Sequence, residues 1–287
     1  MNKDKQKKKI GIIGFPLGHS LSPDMHNHIY KTLSFDSYYD RWEIEEKNLS
    51  TEFEKITQGN FLGANVTVPY KEKIIPFLDF LNEESKITGA VNTIAKQNDK
   101  LVGFNTDIFG IESCLNNQFG DTNLNNVVLI GSGGAARAAL YVLLNKGIDN
   151  LTIINRTKSN VEKMLKRFSK FDCNYEILNF SDKNEVKIKS IESELIINTT
   201  TFGMKGSGME LISPIDQDCI SGKSVIFDLV YNPRITKLMS MAISKNADII
   251  EGIDMLVYQA SKSIELWTGL TPSFEEMKNK CLELLKK

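Results

Sequence analysis

The chain has 287 residues, 41% of them hydrophobic, which is enough for a large buried core and for two domains. Its 35 Lys and Arg residues nearly balance 36 Asp and Glu residues, so the overall charge predicts neither a nucleic-acid nor a membrane partner. No apolar run approaches the ~18–20 residues needed to cross a bilayer, and the Lys-rich start at 3–9 is typical of a solvated terminus rather than a signal peptide.

Short runs rich in Ile and Val alternate with helix-like stretches along most of the chain. The predicted strands are Lys9–Gly14, Ser37–Glu43, Gly63–Thr67, Val127–Ile130, Leu151–Asn155, Glu194–Asn198, Ser224–Asp228 and Asp248–Glu251. The predicted helices include Pro23–Leu33, Ala135–Lys146, Ser159–Phe168, Ile235–Lys245, Asp254–Leu266 and Ser273–Leu285. This alternation predicts an α/β fold with parallel sheets covered by helices on both faces.

A glycine-rich turn follows the strand Val127–Ile130 at once and opens the next predicted helix. Gly131, Gly133 and Ala136 occupy the G-x-G-x-x-G/A positions, with Ser132, Gly134 and Ala135 between them. The first position permits a tight turn and the second a close approach of the backbone to a pyrophosphate, while a small third residue lets helix and strand pack closely. Because free N–H groups at a helix start attract phosphates, the motif predicts a dinucleotide-binding domain.

The next strand indicates which dinucleotide binds. About twenty residues after the glycines, NAD proteins carry an acidic residue that accepts hydrogen bonds from the ribose 2′-hydroxyl. Here the strand ends in Asn155, Arg156 and Thr157, followed by Lys158. A guanidinium can bind a 2′-phosphate with two parallel hydrogen bonds. The sequence therefore predicts NADP as the cofactor, the alternative being a solvated Arg-Lys pair.

We place the dinucleotide-binding domain at 107–252. Residues 1–106 and 253–287 are then expected to form one discontinuous domain, which termini lying close together would allow. A plain arrangement with the C-terminal helices packed on the dinucleotide-binding domain fits the periodicity equally well.

Further motifs lie on both sides of this domain core. They are GFPLGHSLSP at 14–23, NVTVPYK at 65–71, GAVNT at 89–93, GFNTD at 103–107, INTTTFGM at 197–204, DLVYNP at 228–233, GIDMLVYQA at 252–260 and WTG at 267–269. In this order the chain resembles the shikimate dehydrogenase family. The resemblance implies an α/β substrate-binding domain, a Rossmann NADP-binding domain and a cleft between them. It also implies a reversible NADP-dependent reduction of 3-dehydroshikimate to shikimate in aromatic amino acid biosynthesis.

The resemblance assigns catalysis to Lys71 and Asp107, which match the Lys of NVTxPxK and the Asp of NTD. Hydride transfer to a ketone creates a developing alkoxide, so the site needs a proton donor beside the carbonyl oxygen. An ammonium can donate that proton, and a carboxylate can orient it and hydrogen-bond the substrate. Taken singly, a surface lysine and a helix N-cap aspartate are the ordinary interpretations.

The residues that the resemblance assigns to the substrate carry hydroxyl or amide groups. They are Ser20, Ser22, Asn65, Thr67, Asn92, Tyr231 and Gln259. Two serine hydroxyls in a turn before a helix could hold the substrate carboxylate, the alternative for Ser22 being helix capping ahead of Pro23. Amides and hydroxyls both donate and accept, as ring hydroxyls require. Tyr231 alone would more often be a core or interface residue.

Two strings depart from the family's usual pattern, and both concern the cofactor. Ser132 replaces the usual alanine of GAGGA, a position that tolerates a small side chain. INTTTFGM places Thr199 where the family has a small alanine, at the end of a predicted strand on the usual ligand side of such sheets. By resemblance, Gly252 and Met255 lie beside the nicotinamide, where a missing side chain allows close approach.

No metal site is predicted, because His19, His26 and His28 lack a Cys or carboxylate cluster around them. The four scattered cysteines form no CxxC pair and indicate reduced thiols in a cytoplasm. Two other functions compete. A quinate/shikimate dehydrogenase with relaxed substrate or cofactor choice differs by one substrate hydroxyl, whereas a silent NADP-binding protein would need neither Lys71 nor Asp107. The sequence permits a monomer or a homodimer.

Overall fold

Buried aliphatic runs form most of the strands in the computed structural model, which describes residues 7–18, 20–171 and 173–286. The described chain divides into two compact units. Unit 1 runs up to Thr106 and resumes at Val257, and unit 2 is Asp107–Leu256. Each unit has its own six-stranded sheet and its own buried apolar core.

The sheet of unit 1 has the strand order β2-β1-β3-β5-β6-β4. Its strands are β1 (Lys8–Gly14), β2 (Ser37–Glu43), β3 (Phe61–Val66), β4 (Phe80–Leu81), β5 (Thr93–Gln97) and β6 (Lys100–Phe104). Strand β1 pairs in parallel with β2 and β3, but β5 is antiparallel to both β3 and β6. The prediction of parallel sheets throughout is therefore wrong for unit 1, and the sheet is mixed.

The cause of this difference is a hairpin that the strand prediction lacked. Strands β5 and β6 are joined by Asn98 and Asp99, which have φ values of 48° and 60°. Two consecutive residues of positive φ make the tight turn that links antiparallel strands. Asn and Asp tolerate this conformation, but without a glycine they provided no strong turn signal.

The sheet of unit 2 is entirely parallel, in the order β12-β11-β10-β7-β8-β9. Its strands are β7 (Asn126–Ile130), β8 (Asn150–Ile154), β9 (Asn174–Leu178), β10 (Leu195–Asn198), β11 (Val225–Asp228) and β12 (Asp248–Glu251). Five of them match predicted strands within a residue or two, because they are continuous buried runs. Strand β9 was missed because it lies at the sheet edge and exposes Asn174, Tyr175 and Glu176.

Ten α-helices complete the part of the chain that the structure describes. They are α1 (Ser22–Thr32), α2 (Leu49–Thr57), α3 (Glu83–Thr88), α4 (Thr106–Phe119), α5 (Gly134–Asn145), α6 (Lys158–Lys166), α7 (Lys183–Glu192), α8 (Lys237–Ser244), α9 (Gly252–Thr268) and α10 (Phe274–Leu285). Helix α9 begins in unit 2 and ends in unit 1. Among these residues no helix is long and apolar enough to span a membrane.

Strand direction determines which loops share a sheet edge. In unit 2 the carboxyl ends of all six parallel strands meet at one edge, which is the ligand side of such sheets. In unit 1 the carboxyl ends of β1 and β3 meet the amino end of the antiparallel β5. Residues following β1 and β3 and residues preceding β5 therefore lie at one edge of that sheet.

Candidate functional site

Ser20 and Ser22 lie in the segment that follows β1 in unit 1. Helix α1 begins at Ser22 itself, and its N-cap Leu21 makes no side-chain cap. The Ser22 amide lies 3.4 Å from Ser20 Oγ, and the Ser20 carbonyl accepts a bond from Arg41 Nη2 at 3.3 Å. Ser22 is thus the first helical residue rather than the cap, so the capping alternative for it is wrong.

Thr67 and Lys71 lie in the segment that follows β3, at the same edge. The Thr67 amide donates to the Ile13 carbonyl at 2.9 Å, and the Phe15 amide donates to the Val68 carbonyl at 3.1 Å. These bonds tie the segment after β3 to the segment after β1. The Lys71 carbonyl accepts the amide of Val91 at 2.7 Å, which places the backbone of Lys71 beside the start of the GAVNT turn at β5.

Asn65 sits at the centre of a buried hydrogen-bond network in unit 1. Its Oδ1 accepts the Tyr39 hydroxyl at 2.7 Å, and its Nδ2 lies 3.0 Å from both Thr93 Oγ1 and Ser263 Oγ. Both ends of the amide are therefore engaged within the protein. Satisfied buried amides are rigid, so Asn65 is held in one orientation.

The same network reaches Asn92 and Gln259. Asn92 Nδ2 is 3.0 Å from Thr106 Oγ1 and 3.3 Å from Gln259 Oε1, and the Thr106 amide donates to Asn92 Oδ1 at 2.6 Å. Ser263 Oγ lies 2.9 Å from Thr93 Oγ1 and 3.2 Å from Thr106 Oγ1. Three of the predicted substrate residues, Asn65, Asn92 and Gln259, are thereby connected through buried polar groups.

The sequence interpretation assigned no role to the residues that link this network. They are Tyr39, Thr93, Thr106 and Ser263. Thr93 and Thr106 each follow an asparagine inside a quoted motif, and Ser263 lies one helical turn after Gln259. That i, i+4 spacing puts both side chains on one face of α9 and was the signal available for Ser263.

The glycine turn of unit 2 joins β7 to α5. Gly131 has φ of +116°, and a Cβ there would overlap the Thr199 hydroxyl, so only glycine fits. A Cβ on Gly133 would meet no protein atom within 4 Å, which leaves open space beside the backbone. Gly133 is the N-cap of α5 and makes no side-chain cap, and Ser132 precedes it while Gly134 and Ala135 open the helix. The turn therefore offers free N–H groups and room for a phosphate.

Asn155, Arg156 and Thr157 connect β8 to α6 at the same edge of the sheet. The Asn155 amide proton donates to the Leu178 carbonyl at 3.0 Å, and Asn155 Nδ2 donates to the Thr157 carbonyl at 2.9 Å. Thr157 is the N-cap of α6, and Arg156 and Lys158 are exposed. A guanidinium, an ammonium and a helix start are thus adjacent, an arrangement suited to an anion.

Thr199 follows β10, and its hydroxyl has a partner inside unit 2. Its Oγ1 donates to the Ile130 carbonyl at 2.6 Å, directly before the glycine turn. The hydroxyl of the larger side chain in INTTTFGM is therefore satisfied by the end of β7, beside the glycine turn. Gly131 and Thr199 are close enough that each restricts the other.

A buried carboxylate forms hydrogen bonds with the segments at this edge of the unit 2 sheet. Asp228, at the end of β11, accepts bonds from Asn198 Nδ2 at 2.9 Å, from the Val230 amide at 3.1 Å and from Thr236 Oγ1 at 2.7 Å. Burial raises the pKa of Asp228 to about 6, and the three donors oppose that rise. Asn198 Oδ1 in turn accepts the Thr200 hydroxyl at 2.6 Å, so Asp228 is coupled to the segment carrying Thr199.

Tyr231, Gly252 and Met255 also belong to unit 2. A Cβ on Gly252 would lie 2.6–2.7 Å from the carbonyl oxygens of Asp228, Leu229 and Val230, so the fold of unit 2 itself requires glycine there. Tyr231 is partly exposed and Met255 is buried, in the first turn of α9. Arg234 pairs with Glu251 through two bonds of 2.6 and 2.8 Å, which joins the YNP segment to the end of β12.

Asp107 is 4% exposed and lies in the first turn of α4. It opens unit 2, whereas Lys71 belongs to unit 1. Helix α4 begins at Thr106, so Asp107 is a helical residue rather than the N-cap that its position alone suggested.

Histidines and cysteines form no cluster of three metal-ligating side chains among residues 7–18, 20–171 and 173–286. His26 is fully buried, stacks on Tyr39 with ring centroids 4.1 Å apart, and has its pKa lowered to about 3 by burial. It is therefore a neutral core residue. His28 lies near Glu276 on the surface, and His19 lies outside the described residues.

Three family models match the chain. They are the shikimate dehydrogenase substrate binding domain at residues 12–94, shikimate/quinate 5-dehydrogenase at 113–207, and the shikimate 5′-dehydrogenase C-terminal domain at 252–282.

Curated relatives match over nearly their whole length. The shikimate dehydrogenase (NADP(+)) of Carboxydothermus hydrogenoformans is 38% identical over 273 residues, covering 95% of this chain and 96% of the relative. That of Methanosphaera stadtmanae is 36% identical over 276 residues, with 96% of each chain covered.

Solved structures are similar as well. A shikimate dehydrogenase in complex with NADP⁺ aligns with a TM-score of 0.88 at 30% identity, covering 98% of this chain and 96% of its own. Shikimate 5-dehydrogenase from Thermus thermophilus, in complex with NADP(H) and shikimate, aligns with a TM-score of 0.84 at 27% identity, covering 96% and 99%.

Proposed function

The chain belongs to the shikimate dehydrogenase family, and on that premise we propose that it catalyses the reversible NADP-dependent reduction of 3-dehydroshikimate to shikimate in aromatic amino acid biosynthesis. The observation that carries the proposal is the buried network joining Asn65, Asn92 and Gln259 in unit 1. A small polyhydroxylated acid needs such fixed amides, because each unpaired hydroxyl that is buried costs roughly 1–3 kcal/mol.

In this proposal the two units have separate tasks. Unit 1 would be the substrate-binding domain, predicted at 1–106 and 253–287, and unit 2 the NADP-binding domain, predicted at 107–252. The two units divide within α9 after Leu256, four residues beyond that predicted bound. The match of the substrate-binding family model to residues 12–94 supports the first assignment. The parallel sheet and glycine turn of unit 2 support the second.

NADP fits the residues at the carboxyl edge of the unit 2 sheet. The open space at Gly133 and the start of α5, with Ser132, Gly134 and Ala135, would hold the pyrophosphate. Arg156 would take the 2′-phosphate, with Asn155 and Thr157 beside it. Thr199, Gly252 and Met255 would shape the surface toward the nicotinamide. When bound, the reduced cofactor supplies the hydride.

Lys71 and Asp107 carry the proton chemistry in this proposal. As the carbonyl carbon accepts a hydride, negative charge develops on the carbonyl oxygen. Lys71 Nζ donates a proton to that oxygen, and Asp107 accepts a hydrogen bond that orients the ammonium and the substrate hydroxyl. In the oxidation direction a neutral Lys71 removes the hydroxyl proton as the hydride leaves. Turnover needs both groups, whereas a protein that only binds NADP would need neither.

The remaining polar residues bind the substrate. Ser20 and Ser22, beside the start of α1, would hold the carboxylate. The ring hydroxyls would contact Asn65, Thr67, Asn92 and Gln259, with Tyr231 near them. Because both ends of the Asn65 amide already have partners, Asn65 would use the second lone pair of Oδ1.

The cellular setting is also part of the proposal. No disulfide joins the four cysteines, and three of them are buried, as expected for a reduced cytoplasm. We place the enzyme in the cytoplasm as a monomer or homodimer with no nucleic-acid or membrane partner. Sedimentation of the purified protein distinguishes the two oligomeric states.

Absorbance at 340 nm tests the function directly. Purified protein is assayed with shikimate or quinate, each with NADP⁺ or NAD⁺. We expect the largest kcat/KM for shikimate with NADP⁺, because β8 ends without a carboxylate and with Arg156. Turnover that favours quinate and NAD⁺ would identify the quinate/shikimate alternative. Binding of NADP⁺ without turnover on either substrate would leave only a silent binding protein.

A further inference from the structure

We propose that Asn179 is a positioning residue for the 2′-phosphate of NADP, and that it thereby contributes to the choice of NADP over NAD. The inference rests on the proposed function, because it concerns the same cofactor site. Asn179 lies one residue beyond β9, where neither a motif nor a strand was predicted.

The geometry begins where the β8–β9 pairing ends. The last main-chain bond between the strands runs from the Asn155 amide to the Leu178 carbonyl, at 3.0 Å. One residue further on, Asn179 Nδ2 donates to the carbonyl of Arg156 at 2.8 Å. The side chain thus continues the bridge between the strands after the main chain has stopped doing so. Its partner is the carbonyl of the residue assigned to the 2′-phosphate.

Asn179 is itself held by three further bonds. Its Oδ1 accepts the amide of Ser181 at 3.1 Å and the hydroxyl of Ser181 at 3.2 Å. Its own amide donates to Asp182 Oδ2 at 2.7 Å, just before α7 begins. The carboxamide is therefore oriented by the segment leading into α7. A donor fixed in this way holds the Arg156 carbonyl at little further entropic cost.

The consequence concerns the direction in which Arg156 points. A guanidinium binds phosphate best when its planar fork matches the oxygens, so the orientation of its backbone matters. Two hydrogen bonds fix the short turn at Arg156. Asn155 Nδ2 donates to the Thr157 carbonyl, and Asn179 Nδ2 donates to the Arg156 carbonyl. Without Asn179 the turn keeps only the bond from Asn155, and phosphate binding must order the Arg156 side of it. NAD lacks the 2′-phosphate, so loss of the Asn179 bond should leave the affinity for NAD nearly unchanged.

The test compares wild type, Asn179→Ala and the matched control Asn174→Ala by titration calorimetry with 2′,5′-ADP and 5′-AMP. Asn174 is the same residue type at the opposite, amino end of β9, exposed, with its Nδ2 3.5 Å from Asn150 Oδ1. We expect Asn179→Ala to raise the Kd of 2′,5′-ADP about fivefold, the loss typical of one net hydrogen bond. The Kd of 5′-AMP should change less than about twofold, and Asn174→Ala should change neither. In steady state, kcat/KM with NADP⁺ should fall by the same factor and that with NAD⁺ should not.

Several outcomes overturn the inference. A wild type that discriminates between the two nucleotides while Asn179→Ala discriminates equally removes Asn179 from the 2′-phosphate site. Equal weakening of both nucleotides indicates a general structural role and does the same. A wild type that binds 2′,5′-ADP no better than 5′-AMP overturns the NADP assignment itself. Where Asn179→Ala yields no folded protein, Asn179→Ser, too short to reach the Arg156 carbonyl but suited to a turn, is measured against the same criteria.

Discussion

The sheet edges assigned to ligands in the two units differ in which groups they offer, side-chain groups in unit 1 and main-chain groups in unit 2. In unit 1 the edge depends on side chains: amides and hydroxyls of Asn65, Thr93, Asn92 and Ser263 bond to one another below the surface. In unit 2 it depends largely on the main chain, with the turn at Gly131 and the starts of α5 and α6 offering N–H groups. A polyhydroxylated ligand needs donors and acceptors at many angles, whereas a pyrophosphate needs only donors and close approach. We therefore expect unit 1 to be damaged by removing side chains and unit 2 by adding them.

The largest effect is expected from removing a unit 1 side chain, in Lys71→Ala. Loss of the proton donor should lower kcat by about 10²–10⁴ and leave KM for shikimate nearly unchanged, because the lost interaction acts in the transition state. Lys73→Ala is the matched control, since Lys73 lies two residues away and pairs with Glu46 on the surface. Steady-state kinetics at saturating NADP⁺ measures both. A Lys71→Ala variant that raises KM and keeps kcat would remove Lys71 from catalysis.

Asp228 is an exception in unit 2, because here a side chain holds the main-chain segments at the ligand edge in place by hydrogen bonds. Its pKa rises from an ordinary 3.8 to about 6 in the fold, so the folded state binds the proton more tightly than the unfolded state. That stabilisation is complete below about pH 4 and is lost as pH rises through about 6. Relative to Asp228→Asn, wild type should lose of order 3 kcal/mol across this range. Urea unfolding at a series of pH values measures the difference.

The control for this pH dependence is Asp218→Asn. A hydrogen bond from Lys187 lowers the pKa of the Asp218 carboxyl, which is on the surface. Its contribution has the opposite sign: it is present above the unfolded pKa and lost as pH falls. A wild-type free energy of unfolding that stays level or rises relative to that of Asp228→Asn between pH 4 and 7 would contradict the role of buried Asp228.

Two glycines of the same turn in unit 2 should respond differently to an added methyl group. Gly131→Ala should destabilise unit 2 by about 1–3 kcal/mol, because φ is +116° and the Thr199 hydroxyl occupies the space. Gly133→Ala should leave the free energy of unfolding within about 0.5 kcal/mol, yet raise KM for NADP⁺, since no protein atom fills the space. Thermal unfolding and cofactor titration separate the two. Equal destabilisation by both substitutions would show that the turn has no vacant side reserved for a phosphate.

The smallest effect is expected from Ser263→Ala in unit 1. Asn65 Nδ2 loses one acceptor but keeps Thr93 Oγ1, so the cost should be about 1 kcal/mol. KM for shikimate should rise by a similar factor, roughly two- to fivefold, while kcat changes less. Ser261→Ala on the same helix is the control and should be neutral. If Ser263→Ala is equally neutral, the unit 1 network does not transmit its order to the site.

The sequence was most informative where a structural element is formed by one short, continuous stretch of the chain. The buried strands of unit 2 and the glycine turn at Gly131 were predicted because each is a continuous stretch of chain. The hairpin of β5 and β6 was missed, since the residues at its turn, Asn98 and Asp99, are common in ordinary loops. Motif resemblance assigned Asn65, Asn92 and Gln259 to the substrate, but provided no reason why these three should act together.

The sequence by itself determined the α/β fold and the cofactor class, because helix starts, glycine turns and an absent acid act over a few residues, whereas the proton-transfer candidates came from the family resemblance. Tertiary structure alone decided the mixed order of the unit 1 sheet and the partners of its amides. Ser263 is 198 residues from Asn65 in sequence, yet their side chains lie 3.0 Å apart. It likewise decided that Asp228 keeps a raised pKa and that Asn179 reaches the carbonyl of Arg156. Burial and bonding between distant segments arise only when sheets and helices pack, and no local pattern encodes them.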